Sequence, residues 1–187
     1  MSGAGQSEVD IVSQALILIG ESPISSFAEG VGGLVASNLY APTRDDCLTC
    51  YRWHFATGKK ELSRLVETPL NEWQYAYQQP SDLLLPIRAY PGTRFEVFED
   101  RIFANTSTLE IDYIFRPPSG AFPAYFVKAL SYKLASEFAV TVTNNLSIAQ
   151  RMDDLAVYHL RKAKSNDSQS RTPAAITARP WIDVRHS

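Results

Sequence analysis

Cysteine is scarce in this chain, long apolar runs are missing, and neither sign of charge dominates. Two cysteines in 187 residues cannot build a disulfide framework, which suits a protein made and used in a reducing cytosol, or in something assembled there. No run of about 18 apolar residues occurs, so nothing reads as a membrane span. The opening Met1-Ser2-Gly3-Ala4-Gly5-Gln6 has neither the basic flank nor the apolar centre of a signal peptide. Eighteen basic residues meet twenty acidic ones, for a net charge of −2, so no global field draws the chain to nucleic acid or to an anionic membrane. What remains is ordinary globular material, 45% apolar and 20% charged. Its length suits one domain, or one domain with a small appendage.

Catalytic patterns are equally sparse. Gly30-Val31-Gly32-Gly33 lacks the Gly-Lys-Ser/Thr ending and the leading strand of a phosphate loop. No serine elbow, zinc-protease His pair or dinucleotide fingerprint is present. Cys47 and Cys50 form a Cys-x-x-Cys pair, but no apolar strand leads into it, and the acids beside it raise thiol pKa rather than lower it. His54, His159 and His186 are scattered, so a zinc site finds no further ligand pair. The acid pairs Asp45-Asp46, Glu99-Asp100 and Asp153-Asp154 are sequence neighbours, which diverge by about 100° on a helix. The chain reads as a non-enzyme with no cofactor and no metal.

The stretch from Tyr51 to Leu85 organises the rest. Tyr51, Trp53 and Phe55 alternate, as do Trp73, Tyr75 and Tyr77, and the six are drawn from 21 aromatics in the chain. On extended backbone each triplet presents three rings to one side. That arrangement is either a packing nexus between two layers or a stacking platform for a ligand, with Arg52, Lys59, Lys60 and Arg64 around it for single-stranded nucleic acid.

Before that stretch, Ser7-Glu8-Val9-Asp10 has capping-box form and leads into Val9, Val12, Leu16 and Ile19 at helical spacing. Glu29 to Gly33 reads as a mobile loop. Helical spacing resumes from Leu34 through Arg52, with Pro42 either kinking the helix or restarting it. Gly58 to Leu65 is polar and without a clear period. Three runs, 95–98, 101–104 and 109–115, read as an antiparallel meander, with 83–87 as a fourth strand. In the last run Leu109, Ile111 and Tyr113 alternate with Glu110 and Asp112, a one-sided pattern. Phe126, Leu130, Leu134 and Phe138 then mark a helix over about 123–143. Asn144-Asn145 makes a corner, and a second helix runs from Ser147, with His159 on its apolar stripe, until the pattern dissolves after Lys164.

The expected fold is α+β. A predominantly helical bundle of about four helices, from 7–56 and 122–165, carries a small antiparallel β insertion at about 83–116. One folded domain covers 1–165, and 166–187 is an extended C-terminal arm. From His159 onward Arg161, Lys162, Lys164, Arg171, Arg179 and Arg185 face only Asp167 and Asp183. This basic end, with Trp181 between arginines, suits an arm that orders on a partner.

Three segments carry a family resemblance. Ala15-Leu16-Ile17-Leu18-Ile19-Gly20-Glu21-Ser22-Pro23-Ile24 is the first. The second pairs Arg44-Asp45-Asp46-Cys47-Leu48 with Trp53-His54-Phe55-Ala56. The third is Trp73-Gln74-Tyr75-Ala76-Tyr77-Gln78-Gln79-Pro80-Ser81-Asp82-Leu83-Leu84. In that order they resemble the head-to-tail adaptors of tailed bacteriophages, such as tail tubular protein A and the adaptor of gene transfer agents. The likeness covers about residues 7–160, and the third motif is the most specific. Pro42 departs from the family's long helix.

The resemblance implies helices from both chain ends packed beside a small β domain, in a virion neck protein assembled in the host cytoplasm. It implies a ring, usually of twelve copies, under the portal protein, receiving a stopper or tail (nozzle) protein below and leaving a lumen through which DNA passes without specific binding. It also implies an arm, here with Arg171, Arg179, Trp181 and Arg185, that reaches the portal. In that setting the aromatic stretch becomes a structural joint. Trp53 and Phe55 are expected to close the helical layer, and Trp73, Tyr75 and Tyr77 to dock the β layer against it.

Overall fold

The computed structural model describes residues 6–67, 69 and 72–170. Helix α1 (Glu8–Leu18) starts as its sequence dictates. The Asp10 amide donates to the Ser7 hydroxyl at 3.2 Å and the Ser7 amide donates to the Asp10 carboxylate at 2.9 Å, satisfying two amides that lack partners within the helix. Helix α2 spans Gly30–Thr49 and departs from expectation three times. The glycine-rich stretch is its first turn, not a loop. A Cβ on Gly33 would lie 2.8 Å from the Phe27 carbonyl oxygen, and one on Gly32 would meet Leu16 at 3.1 Å. These glycines permit close packing rather than motion. Nor does Pro42 break the helix: its ring faces solvent, while Ala36, Tyr40, Thr43 and Cys47 are buried on the stripe that crosses it. Packing of that stripe outweighs the lost backbone bond, a cost of about 3 kcal/mol.

The third departure is the helix end. Residues 51–55 are not extended; α2 stops at Thr49 and a turn leads to a short 3₁₀ segment, His54–Ala56. The Trp53 indole N–H donates to the Cys47 carbonyl at 2.8 Å. A backbone acceptor left over at the helix C-terminus is thereby satisfied by a side chain from beyond it.

Helix α3 (Ala124–Thr141) buries Phe126, Leu130, Leu134 and Phe138 completely. Asn144 turns the corner at φ 49°, a conformation that asparagine tolerates. Asn145 then caps α4 (Leu146–Gln169), accepting from the Ser147 and Ile148 amides at 3.1 Å each. The pair is antiparallel: Tyr132 stacks on His159 at 4.6 Å, and Lys133 reaches Asp153 at 2.9 Å. Helix α4 continues past Lys164, where the sequence pattern stops. Residues 166–169, expected to open the arm, are helical, and Asp167 among them is fully buried. All four helices contribute to one apolar cluster.

The β insertion is larger than 83–116 and is split in two. One sheet holds β1 (Thr57–Glu61), β6 (Glu110–Phe115) and β3 (Leu83–Tyr90) in the order β1-β6-β3. The other holds β2 (Tyr75–Gln78), β5 (Arg101–Ala104) and β4 (Phe95–Phe98) in the order β2-β5-β4. All pairings are antiparallel. The expected meander fails because β5 and β6, consecutive in the chain, join different sheets. Strand β1 lacked a sequence signal since it is an edge strand with Lys59, Lys60 and Glu61 exposed. Just after it, Ser63, Arg64 and Leu65 pair with β2, so residues 57–65 pass from one sheet to the other. Between the sheets lies a second, smaller cluster that includes Leu62, Tyr77, Ile102, Leu109 and Ile111.

Strand β6 is buried on both faces. Ile111 and Tyr113 belong to the β cluster, whereas Ile114 belongs to the helical one. The one-sided reading of this strand fails at Asp112, which is 2% exposed, because Arg52, Lys59 and Tyr90 close over the carboxylate where its charge was expected to meet water.

Candidate functional site

The six aromatics of the organising stretch divide between the two halves. Trp53 is fully buried in the helical cluster, with its ring edge-on to Phe126 at 5.2 Å and to Tyr51 at 5.0 Å. Phe55 packs against that cluster, 5.0 Å from Phe126. Tyr77 lies in the β cluster and its hydroxyl donates to the Thr106 carbonyl. Tyr75 packs against the same cluster with the Arg64 guanidinium 5.0 Å over its ring. Trp73 is buried beneath Arg94, at 5.3 Å. None of the second triplet enters the helical cluster. The expectation that these three dock the β layer onto the helices is therefore corrected: Ile114 makes that contact, with Leu84 and Ile87 beside it. The cause is strand order, which puts β3 and β6 against the helices and β2 in the other sheet. With Trp53, Trp73 and Tyr77 buried, the cluster offers no row of open ring faces on which bases stack.

Three carboxylates complete the joint, and each meets a partner far away in sequence. Asp45 on α2 accepts from Arg116 Nη2 at 2.6 Å and Nε at 3.1 Å, and from Arg44 Nε at 2.9 Å. Burial alone would push its pKa up, but these hydrogen bonds and charges outweigh burial and hold it below the ordinary aspartate value. Asp112 on β6 accepts from Arg52 Nη2 at 2.8 Å and from the Tyr90 hydroxyl at 3.2 Å, with Lys59 Nζ at 3.7 Å. Asp167 at the end of α4 accepts the His54 amide at 2.9 and 3.1 Å, and the Tyr125 hydroxyl at 2.9 Å. Burial first, and then Asp167, push the Tyr125 phenol up to about 12. Sequence reasoning missed all three, since the most distant partner of each, 60 to 113 residues away, leaves no local signal.

The thiols are not activated. Burial pushes Cys47 up to about 12, and burial likewise raises Cys50, so both are protonated thiols at neutral pH. Among the described residues no three His, Cys, Asp or Glu side chains gather as a metal site. His159 is half-buried between Tyr132 and Tyr158.

Exposed apolar side chains sit on separate faces. Ile17, Val31 and Leu34 lie on α1 and α2, and Val140 and Leu146 at the corner between α3 and α4. Val157 and Tyr158 lie on α4, and Val97 and Phe98 on β4. Such faces suit contact with other proteins more than chemistry. Arg171, Arg179, Trp181 and Arg185 lie outside the described residues. No protein-family model matches this chain, and no curated protein matches it.

Proposed function

We propose that the chain is a structural adaptor of a virion neck, forming a ring under a portal protein and joining the DNA-filled head to the tail. The observation that carries this reading is the layout of the chain. Helices from its two ends share one core, with a small β module inserted between them, as the family resemblance implies. The most specific motif of that resemblance, residues 73–84, forms β2 and the turn into β3. A closed ring needs two different faces of each subunit to meet, and the exposed apolar residues lie on more than one face. A net charge of −2 suits a lumen that passes DNA without gripping it, because each cation bound to phosphate adds salt-sensitive affinity. No helix among the described residues is long and apolar enough to cross a membrane. The partners in this reading are the portal, a stopper or nozzle protein, and further copies of the chain.

The test is binding to the cognate portal. The full chain is expected to co-migrate with purified portal, and a chain ending at Ser170 to keep its fold but attach more weakly. A full chain that never associates with portal, yet holds single-stranded DNA in a salt-sensitive manner, would overturn the reading.

A further inference from the structure

A groove of about 620 Å³ runs between α1 and α3. Ile17, Leu18, Phe122 and Val127 give it apolar walls, and Lys128 and Tyr132 line it as well. Lys128 is exposed and makes no ion pair among the described residues.

The described chain stops beside the groove. Asp167, one turn before Ser170, is bonded to Tyr125, whose neighbour Ala124 lines the groove. Trp181 follows Ser170 by 11 residues, a reach of roughly 36 Å when extended. The α3 wall from Ala124 to Tyr132 spans only about 12 Å. Trp181-Ile182-Asp183-Val184 supplies a large ring, two aliphatic side chains and one carboxylate. The groove presents apolar walls and one ammonium without an ion pair among the described residues. Residues 1–5, which precede the lining residue Gln6, offer only Met1 as a large apolar side chain.

We propose that this groove is a docking site for the chain's own residues 181–184, with the Trp181 indole between α1 and α3 and Asp183 against Lys128. Docking would hold the C-terminal segment to its own subunit until a partner draws it away. The inference stands apart from the adaptor reading, and its test contains no portal, so either can fail alone.

The measurement is acrylamide quenching of tryptophan fluorescence in the full chain. A Trp181→Phe chain serves as the reference that isolates Trp181 from the buried Trp53 and Trp73. The Trp181 signal is expected to be quenched several-fold less than in a free peptide of residues 171–187, and equally so across dilution. Ile17→Glu and Lys128→Glu, both at exposed positions, are expected to raise quenching toward the peptide value with unchanged far-UV circular dichroism. Quenching equal to that of the free peptide would overturn the proposal, as would no response to either groove variant. Shielding that vanishes on dilution would overturn it too, since the occupant would then be a second copy.

Discussion

The helical and β halves reach stability by different means. In the helical half fully buried Leu, Phe, Ile and Ala from four helices form one continuous cluster around Trp53. The β half packs two three-stranded sheets over a much smaller cluster, and its edge strand β1 exposes Lys59, Lys60 and Glu61. Small cores are marginal. The β half is therefore expected to depend on its neighbour, through Ile114 and through the ion pairs of Asp45 and Asp112. Removing a part of the joint then probes whether the halves unfold as one.

The largest effect is expected at Trp53. Replacing this fully buried ring by alanine should cost about 3–5 kcal/mol and lower the denaturant midpoint of both halves together. Far-UV signal from the helices and near-UV signal from the tyrosines of the β half should move in a single transition. Two separated transitions would break the comparison and make the halves independent.

Next comes Asp167→Ala. It leaves the His54 amide and Tyr125 hydroxyl without their shared acceptor, and hydrogen bonds to a charged group are worth about 1.5–3 kcal/mol. The Tyr125 phenol should then titrate closer to 10 by ultraviolet absorbance. Its pKa is raised in the folded chain, so its stabilisation is complete below pH 10 and is lost as pH rises through about 12. The Asp167→Ala chain should lose less stability over that window.

Arg52→Met should cost about 1–2 kcal/mol. Breaking a buried pair costs more, but Arg52 is 41% exposed, which discounts it, and Lys59 and Tyr90 still face Asp112. Asn145→Ala should cost about 1 kcal/mol through the lost cap of α4, with no change at the joint. The smallest effect is at Asp45, whose pKa is depressed in the folded chain. Its stabilisation is present above its unfolded value of 3.8 and is lost as pH falls through the lower folded value. In acid titrations followed by circular dichroism, Asp45→Asn should flatten that part of the profile.

Legibility in the sequence follows the same division. Helices α1, α3 and α4 announce themselves because apolar spacing, a capping box and a corner are local facts: Ser7 with Asp10, Phe126 through Phe138, and Asn144-Asn145 between the last two helices. The β half yields its strands but not their partners. Nothing near Arg101 or Glu110 tells which sheet each strand joins, and β1 is too polar to declare itself. The errors in the helical half have tertiary causes as well. Gly33 reads as freedom until the Phe27 carbonyl is seen 2.8 Å from where a Cβ would sit. Asp167 looks like part of a solvated tail until the His54 amide is seen against it. The aromatic joint was legible as a cluster, but its division between two cores depends on strand order.

The most direct measurement is an electron-microscopic reconstruction of the full chain assembled on its cognate portal, with the copies counted. The expected result is a closed ring, usually of twelve copies in proteins of this resemblance, that contacts the portal and encloses an open lumen. A single bound copy, an open filament, or a portal left bare would contradict the adaptor reading.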